Sequence, residues 1–304
     1  MTPEIVGPEA EALLDWAGLT EALIDGHRRP PPEIRDILLY RGADTLLSRA
    51  AWIDGLGSLV KTATVFPGNP ARGLPAVNGG VSLYDDATGV LAALVDFHLV
   101  TKWKTAGDSL LAARLLARAE AAEVLIVGAG TVARSMIAAY RSRWPDARYR
   151  VWSRTQESAA RLAAETGAEP VDDLAAAVGR ADILCTATMA TEPLIRGDWL
   201  RPGQHLDLIG AYRPDMREVD DDALRRARIF VDARATTLDH IGELKDPIAR
   251  GVIAPDDVVA DFSDIAAGRF ARASDEEITL AKNGGGAHLD LMTARYILER
   301  WQTR

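Results

Sequence analysis

Three features of this 304-residue chain combine residue types and spacings that could do chemistry. The first is Gly128-Ala129-Gly130-Thr131-Val132-Ala133, which follows the apolar run Val124–Val127 and opens an amphipathic stretch. A glycine at Gly128 permits the tight turn, and one at Gly130 lets backbone approach a pyrophosphate. The small Ala133 lets the helix pack on the strand, and the helix start at Thr131 and Val132 offers free N–H groups to phosphate oxygens. A lone GxGxxA is weak evidence. Between an apolar strand and a helix, it reads as a dinucleotide loop rather than a plain turn.

The second feature is what ends the next strand. Tyr149–Trp152 runs into Ser153-Arg154-Thr155, where an NAD enzyme would place an acid to accept from the ribose 2′-hydroxyl. Arg154 can pair with a 2′-phosphate, with Ser153 and Thr155 as hydroxyl donors, so NADPH is expected, with NADH the weaker alternative. The bland alternative is a solvated arginine beside a helix N-cap at Thr155. Thr186, Ala187 and Thr188, after the run Ile183–Cys185, are expected to line the nicotinamide ribose at the carboxyl edge of the sheet.

The third feature is a set of cations. Lys61 sits within SLVKTATVFPGN, an apolar and β-branched setting, and Lys104 stands at a helix entrance in TKWKTAGDSLL. Arg35 is a third candidate, with Arg41 and Arg49 nearby. A carboxylate substrate needs such partners because an unpaired anion loses several kcal/mol on desolvation. Taken singly, each lysine would read as a surface charge.

These groups need elements to position them. Residues 4–27 have apolar positions at helical spacing, and Pro30–Pro32 stops the pattern. From about Arg35 to Asp96 short β-like runs alternate with turns, and a helix is expected from about Thr105 to Arg118. Strand and helix then alternate, which implies a doubly wound parallel sheet of Rossmann type in an α/β protein. The expected organisation is residues 1–121 as an α+β domain that carries the candidate substrate cations, rejoined by 281–304, with 122–280 as the dinucleotide domain. Gly284–Gly286 would let backbone pass close to cofactor or substrate.

Composition narrows the function classes. Hydrophobic residues make up 48% and charged residues 26%, typical of a globular enzyme. A formal net charge of −9 without a basic cluster argues against nucleic acid and anionic membranes as partners. One cysteine, Cys185, allows no intrachain disulfide, and no Cys/His spacing suggests a metal. No apolar run nears the ~20 residues that span a bilayer, and no signal peptide is evident, so a cytoplasmic protein is expected.

Taken together, VKTATVFPGN, GVSLYDDATG, DFHLVTKWKTAGDSLLAARLLAR, VGAGTVA, VWSRT, TATMATEPLI, GAYRPDMREVDDD and GGGAHLDLMTA resemble the ornithine cyclodeaminase/mu-crystallin family over nearly the whole chain. The resemblance implies a homodimer with a β-rich N-terminal domain around a Rossmann domain. It also implies an Arg, a Lys and a second Arg that hold the substrate carboxylate. By position these look like Arg35, Lys61 and Lys104, the last a departure from Arg, while Thr105 and Ala106 match as they stand. Gly210 is the glycine of the sixth-strand loop, expected to contact cofactor. Two positions on, where the cyclodeaminases carry an acid, stands Tyr212, with Asp215 three residues further.

Within the family, WKTAGDS and NGGGAHLD are most similar to bacterial cyclic ketimine reductases acting on Δ1-pyrroline-2-carboxylate. The implied reaction is NADPH-dependent reduction of a small cyclic imino acid to L-proline or L-pipecolate. The carboxylate would hold the C=N carbon about 3–3.5 Å from the nicotinamide C4. Lys61 or His288 would be the acid if one is needed. His288 begins the last helix and is read either as proton donor or substrate contact, or as a structural histidine. Rival readings are ornithine cyclodeaminase itself, an amino-acid or N-alkyl amino-acid dehydrogenase, and a non-catalytic NADPH-binding protein.

Overall fold

Alternating apolar side chains in the first hundred residues build a six-stranded sheet. The computed structural model describes residues 2–304. Its first elements are β1 (Glu4–Val6), α1 (Trp16–His27), β2 (Glu33–Arg41), β3 (Asp44–Ile53), β4 (Gly57–Val65), β5 (Val77–Tyr84), β6 (Leu91–Val95) and α2 (Phe97–Leu116). The strand order is β1-β6-β5-β4-β3-β2, antiparallel except where β1 joins β6. Directly paired residues share a face, so Asp36, Arg49, Lys61, Val81 and Val95 lie on one side and Arg35, Ala50, Val60, Ser82 and Leu94 on the other.

The start of the chain differs from the helix expected over 4–27. Val6 pairs with Val95 in the sheet, a 3-10 turn follows over Pro8–Leu13, and the helix begins only at Trp16. Asp15 caps it, accepting the Gly18 N–H at 2.6 Å. The helix expected from Thr105 starts eight residues earlier, because Asp96 accepts the Leu99 N–H at 2.7 Å and sets its first turn at Phe97.

The second half alternates strand and helix: β7 (Glu123–Val127), α3 (Thr131–Arg143), β8 (Arg148–Trp152), α4 (Gln156–Thr166), β9 (Glu169–Pro170), α5 (Leu174–Arg180), β10 (Ile183–Thr186), β11 (His205–Leu208), α6 (Asp221–Arg226), β12 (Ala227–Val231), α7 (Arg234–Thr237), α8 (Gly242–Ala249), β13 (Val258–Ala260) and β14 (Ile278–Lys282). All eight strands are parallel, in the order β13-β12-β14-β11-β10-β7-β8-β9. This is a Rossmann-type α/β sheet. Its core is a cluster of buried aliphatics that includes Leu125, Val127, Leu184, Leu206 and Leu280. The sequence reading missed β14, which enters between β11 and β12. The five-residue stretch ITLAK beside Asn283 and three glycines carries no clear period of its own.

The last helix, α9 (Ala287–Gln302), packs on the face of the six-stranded sheet that carries Lys61, touching β2 through β6. The chain divides into two compact units, one running to Lys104 and including Gly286–Arg304, the other Thr105–Gly285. The expected boundary near residue 121 lies further on. The division falls inside α2, a continuous helix that leaves no linker or composition change to mark it. Among the described residues no helix is long and apolar enough to cross a membrane.

Candidate functional site

In the second unit, β7 delivers the chain into the glycine turn. Gly128 has φ +122°, and a Cβ there would lie 2.5 Å from the Ala187 carbonyl oxygen, so the position demands glycine. Gly130 is the N-cap of α3, and a Cβ at that position would meet no atom within 4 Å. Thr131 and Val132 are exposed beside it, so the helix start lies open to a phosphate-sized group. At the end of β8, Ser153 is half-buried, and Arg154 and Thr155 are exposed. Thr155 is the N-cap of α4 but makes no side-chain capping bond, and Arg154 has no ion pair among the described residues. This open loop and unpaired guanidinium fit a dinucleotide bearing a 2′-phosphate.

The carboxyl edge of the same sheet is organised by a residue the sequence reading passed over. Glu218 accepts the Thr188 N–H at 2.9 Å and its hydroxyl at 2.6 Å through Oε1. Through Oε2 it accepts the N–H groups of Gly210 at 2.8 Å and Ala211 at 3.1 Å. It thereby ties the loop after β10 to the loop after β11. Gly210 is required there, since a Cβ would sit 2.3 Å from Glu218 Oε1 and equally close to the Thr188 backbone. Burial raises the Glu218 carboxyl, against the bonds from Thr188 and the charge of buried Lys282. Thr186 is buried, and Ala187 is half-buried. Cys185 is buried on β10, where desolvation and Asp207 push its thiol well up, away from nucleophilic use.

In the first unit, the face under α9 gathers charge. Lys61 Nζ donates to Asp290 Oδ1 at 2.7 Å and stands 5.0 Å from the centre of the Phe97 ring. Arg49, directly opposite Lys61 across β3 and β4, lies 3.7 Å from Asp290 Oδ2 and donates to Asp36 Oδ2 at 2.6 Å. Lys104 is buried in α2, close enough for its charge to act on both Lys61 and Asp290, and it has no ion pair among the described residues. Thr105 beside it is half-buried.

Burial lowers the Lys61 ammonium, partly offset by Asp290. Burial alone would raise Asp290, but Lys61, Lys104 and Arg49 outweigh it and hold the carboxyl below the usual range. Burial also opposes the charge on Arg49, which the bonded Asp36 and nearby Asp290 more than restore.

This geometry moves Arg35 out of the expected cluster, and of the alternatives for His288 it favours the structural histidine over the proton donor. Arg35 is not part of the cluster: the two-residue period of β2 turns it to the opposite face, where its guanidinium is 80% exposed and meets the Ile34 carbonyl and Glu33. Arg49 occupies the face that Arg35 was expected to serve. His288 is 3% exposed, and burial pushes its imidazole down to about 3, with His27 and Lys104 adding repulsion. It stacks edge-on with His27 at 5.6 Å, and Gly286 lies against its ring. At neutral pH it carries no proton to give from an imidazolium.

Asp290 and Arg49 are the residues sequence reasoning missed here. The only signal was HLDLMTA for the first and a cross-strand register for the second. Tyr212 is 58% exposed, and Asp215 pairs with Arg213 at 2.9 Å.

A family model described as the ornithine cyclodeaminase/mu-crystallin family matches residues 54–304. A Delta(1)-pyrroline-2-carboxylate reductase of Paracoccus denitrificans is 51% identical over 296 residues, 95% of this chain and 94% of that one. A ketimine reductase mu-crystallin of Mus musculus is 31% identical, over 80% of this chain and 76% of that one. The solved Delta(1)-pyrroline-2-carboxylate reductase of Thermococcus litoralis, in complex with NADH and L-proline, has a TM-score of 0.88 at 25% identity, covering 99% of this chain and 98% of that one. An archaeal alanine dehydrogenase dimer with bound NAD has a TM-score of 0.90 at 26% identity, covering 100% and 97%.

Proposed function

Because the chain belongs to the ornithine cyclodeaminase/mu-crystallin family, we propose that it is an imine reductase that uses NADPH on a small cyclic imino acid. Its substrates are Δ1-pyrroline-2-carboxylate or the six-membered Δ1-piperideine-2-carboxylate, and its products L-proline or L-pipecolate. The observation that carries this reading is Lys104, a buried ammonium without an ion pair among the described residues, beside a Lys61 already matched to Asp290. A buried ammonium without an ion pair favours a carboxylate partner, and a substrate carboxylate supplies one. A relative named Delta(1)-pyrroline-2-carboxylate reductase, at 51% identity, supports the same chemistry.

Gly130, Thr131 and Val132 hold the pyrophosphate, Arg154 with Ser153 and Thr155 the 2′-phosphate, and Thr188 and Gly210 the nicotinamide end. When bound, the nicotinamide supplies the hydride. The chain's own residues orient the imine: Lys61 and Lys104 take the carboxylate, with Arg49 adjoining, and so fix the plane of the C=N bond. The nitrogen must gain one proton as the carbon gains the hydride, giving the secondary amine. Lys61, whose ammonium is made more acidic by burial, is the donor if the imine does not arrive protonated.

The outer face of the six-stranded sheet, where Ile5, Ile37, Leu39, Trp52 and Leu94 are exposed, is the surface for a second copy in a cytoplasmic homodimer. The test is NADPH oxidation followed at its absorbance band with pyrroline-2-carboxylate, piperideine-2-carboxylate, and pyruvate with and without amine. Turnover only with pyruvate plus ammonia or an alkylamine would convert the assignment to an amino-acid dehydrogenase.

A further inference from the structure

Under α9, Arg49 and Lys61 pair with the carboxylates Asp36 and Asp290, and the charge of Lys104 acts on Lys61 and Asp290 from nearby. Lys61 is committed to Asp290 at 2.7 Å, and Arg49 is committed to Asp36 at 2.6 Å, with Asp290 as a longer second contact at 3.7 Å. Lys104 is left without an ion pair among the described residues, and a single substrate carboxylate would match its charge.

Asp36 therefore has a role beyond holding a strand pair. On β2 it faces Arg49 directly across the antiparallel register, and it is the most solvent-accessible member of the set, its side chain 36% exposed. Arg49 is 19% exposed in its side chain, and Asp290 is wholly buried. Without Asp36, the fork of Arg49 would keep only the longer contact to Asp290, and the site would carry two surplus positive charges. A guanidinium freed in this way is suited to a second carboxylate, which it can grip with two parallel N–H bonds.

We infer that Asp36 is a specificity-determining residue, which by occupying Arg49 limits the enzyme to imines bearing a single carboxylate and excludes dicarboxylate imino acids. The inference rests on the proposed reading that this cluster holds the substrate carboxylate. A dianion entering the native site leaves one carboxylate unmatched beside Asp36 and Asp290. Selectivity thus comes from a repulsive element as much as from the attractive one.

The probes are Δ1-piperideine-2-carboxylate and Δ1-piperideine-2,6-dicarboxylate, which share a ring and differ by one carboxylate. Native enzyme should prefer the monocarboxylate. Asp36→Asn, which keeps the shape and removes the charge, should raise the dicarboxylate-to-monocarboxylate ratio of kcat/KM by on the order of tenfold, since a hydrogen bond to a charged group is worth about that much. The gain should shrink as salt is raised, because Asp36 is near the surface.

An unchanged ratio in a folded, active Asp36→Asn enzyme overturns the inference, as does native enzyme that takes both probes equally. Should that variant not fold, competitive inhibition of native enzyme by pyrrole-2-carboxylate and pyrrole-2,5-dicarboxylate decides. Equal binding of the two sinks the idea, and weaker binding of the dicarboxylate upholds it. If native enzyme reduces neither piperideine nor pyrroline substrate, the functional reading fails first, and that result is distinct from a failed ratio.

Discussion

The Lys61 ammonium donates to Asp290 across 229 positions of sequence, a buried pair 2.7 Å long that joins a strand near the front of the chain to its last helix. A single-partner deletion costs about 3–5 kcal/mol where the remaining buried charge has no other partner, whereas Asp290 without Lys61 keeps Arg49 at 3.7 Å and the nearby charge of Lys104. The pair ties these two elements together, and it lies in the proposed substrate site. Lys61→Met should lower kcat/KM for the cyclic imine by about two orders of magnitude or more, the range for losing one electrostatic or acid group. NADPH affinity, read by quenching or enhancement of its fluorescence, should stay within about twofold, because the residues proposed to hold it belong to the other unit. Comparable turnover in this variant would remove Lys61 from the chemistry.

Arg35 and Arg49 give the second comparison. They differ in which face of the sheet they occupy, a consequence of β-strand parity alone. Arg49→Met should raise KM for the imine roughly tenfold and also expose Asp36 to loss of its partner. Arg35→Met should leave kcat and KM of the reaction near native values, since its contacts are an exposed glutamate and its own neighbour's carbonyl. Steady-state kinetics on the two variants side by side distinguishes the faces. The reverse pattern would return Arg35 to the site.

Much of this was legible in the sequence, for specific reasons. The glycine turn declares itself because only glycine tolerates the φ of +122° at Gly128, and the end of β8 proposed to meet a 2′-phosphate is marked by residues that follow immediately in the chain. Lys61 stood out because a lysine in an apolar run is a poor fit unless it has work, and Lys104 because it was read at the entrance to a helix. The cluster's other members were hidden by distance. Asp290 meets Lys61 only after α9 returns to the first unit, and Arg49 is told apart from Arg35 and Arg41 only by strand register. The β14 insertion was hidden for the same reason: strand order in a parallel sheet is set by crossovers, not by neighbours in sequence.

His288 supplies a prediction with a definite sign. Its folded value of about 3 is below the ordinary 6.5, so the neutral form is the one the fold favours. The sign for a base lowered on folding is that stability is full above 6.5 and is lost progressively as pH falls toward about 3, while the unfolded chain takes up the proton. Thermal melts between pH 7 and 4 should show native enzyme losing stability faster than His288→Gln, which has no proton to accept. The same variant should retain activity within about fivefold at pH 7, because a neutral, buried ring is not the acid. Loss of a hundredfold or more with an unchanged melt would restore His288 as proton donor.

Arg154 separates the two coenzymes. Exposed, without an ion pair among the described residues and at the end of β8, it has little to do in the absence of a 2′-phosphate. Arg154→Ser should raise KM for NADPH by roughly tenfold to a hundredfold and leave KM for NADH nearly unchanged, as expected for loss of a charge-assisted bidentate contact. Equal effects on both coenzymes would mean that the arginine serves the loop and not the phosphate.

Glu218 is the last case, and it tests whether the two loops at the carboxyl edge act together. Its carboxylate accepts from Thr188 twice and from Gly210 and Ala211 once each, so four donors depend on one side chain. Glu218→Gln keeps the volume but turns an amide NH2 toward N–H groups, leaving donors opposed in a buried place, which costs about 1–3 kcal/mol per stranded group. The melting temperature should therefore fall. A purely structural role would stop there. If the clamp also sets the shape of the nicotinamide end, KM for NADPH should rise about tenfold while KM for the imine, bound through the other unit's cations, changes little. A variant that melts lower yet shows native KM values for both would confine Glu218 to the fold, and the two loops would then hold their positions without it.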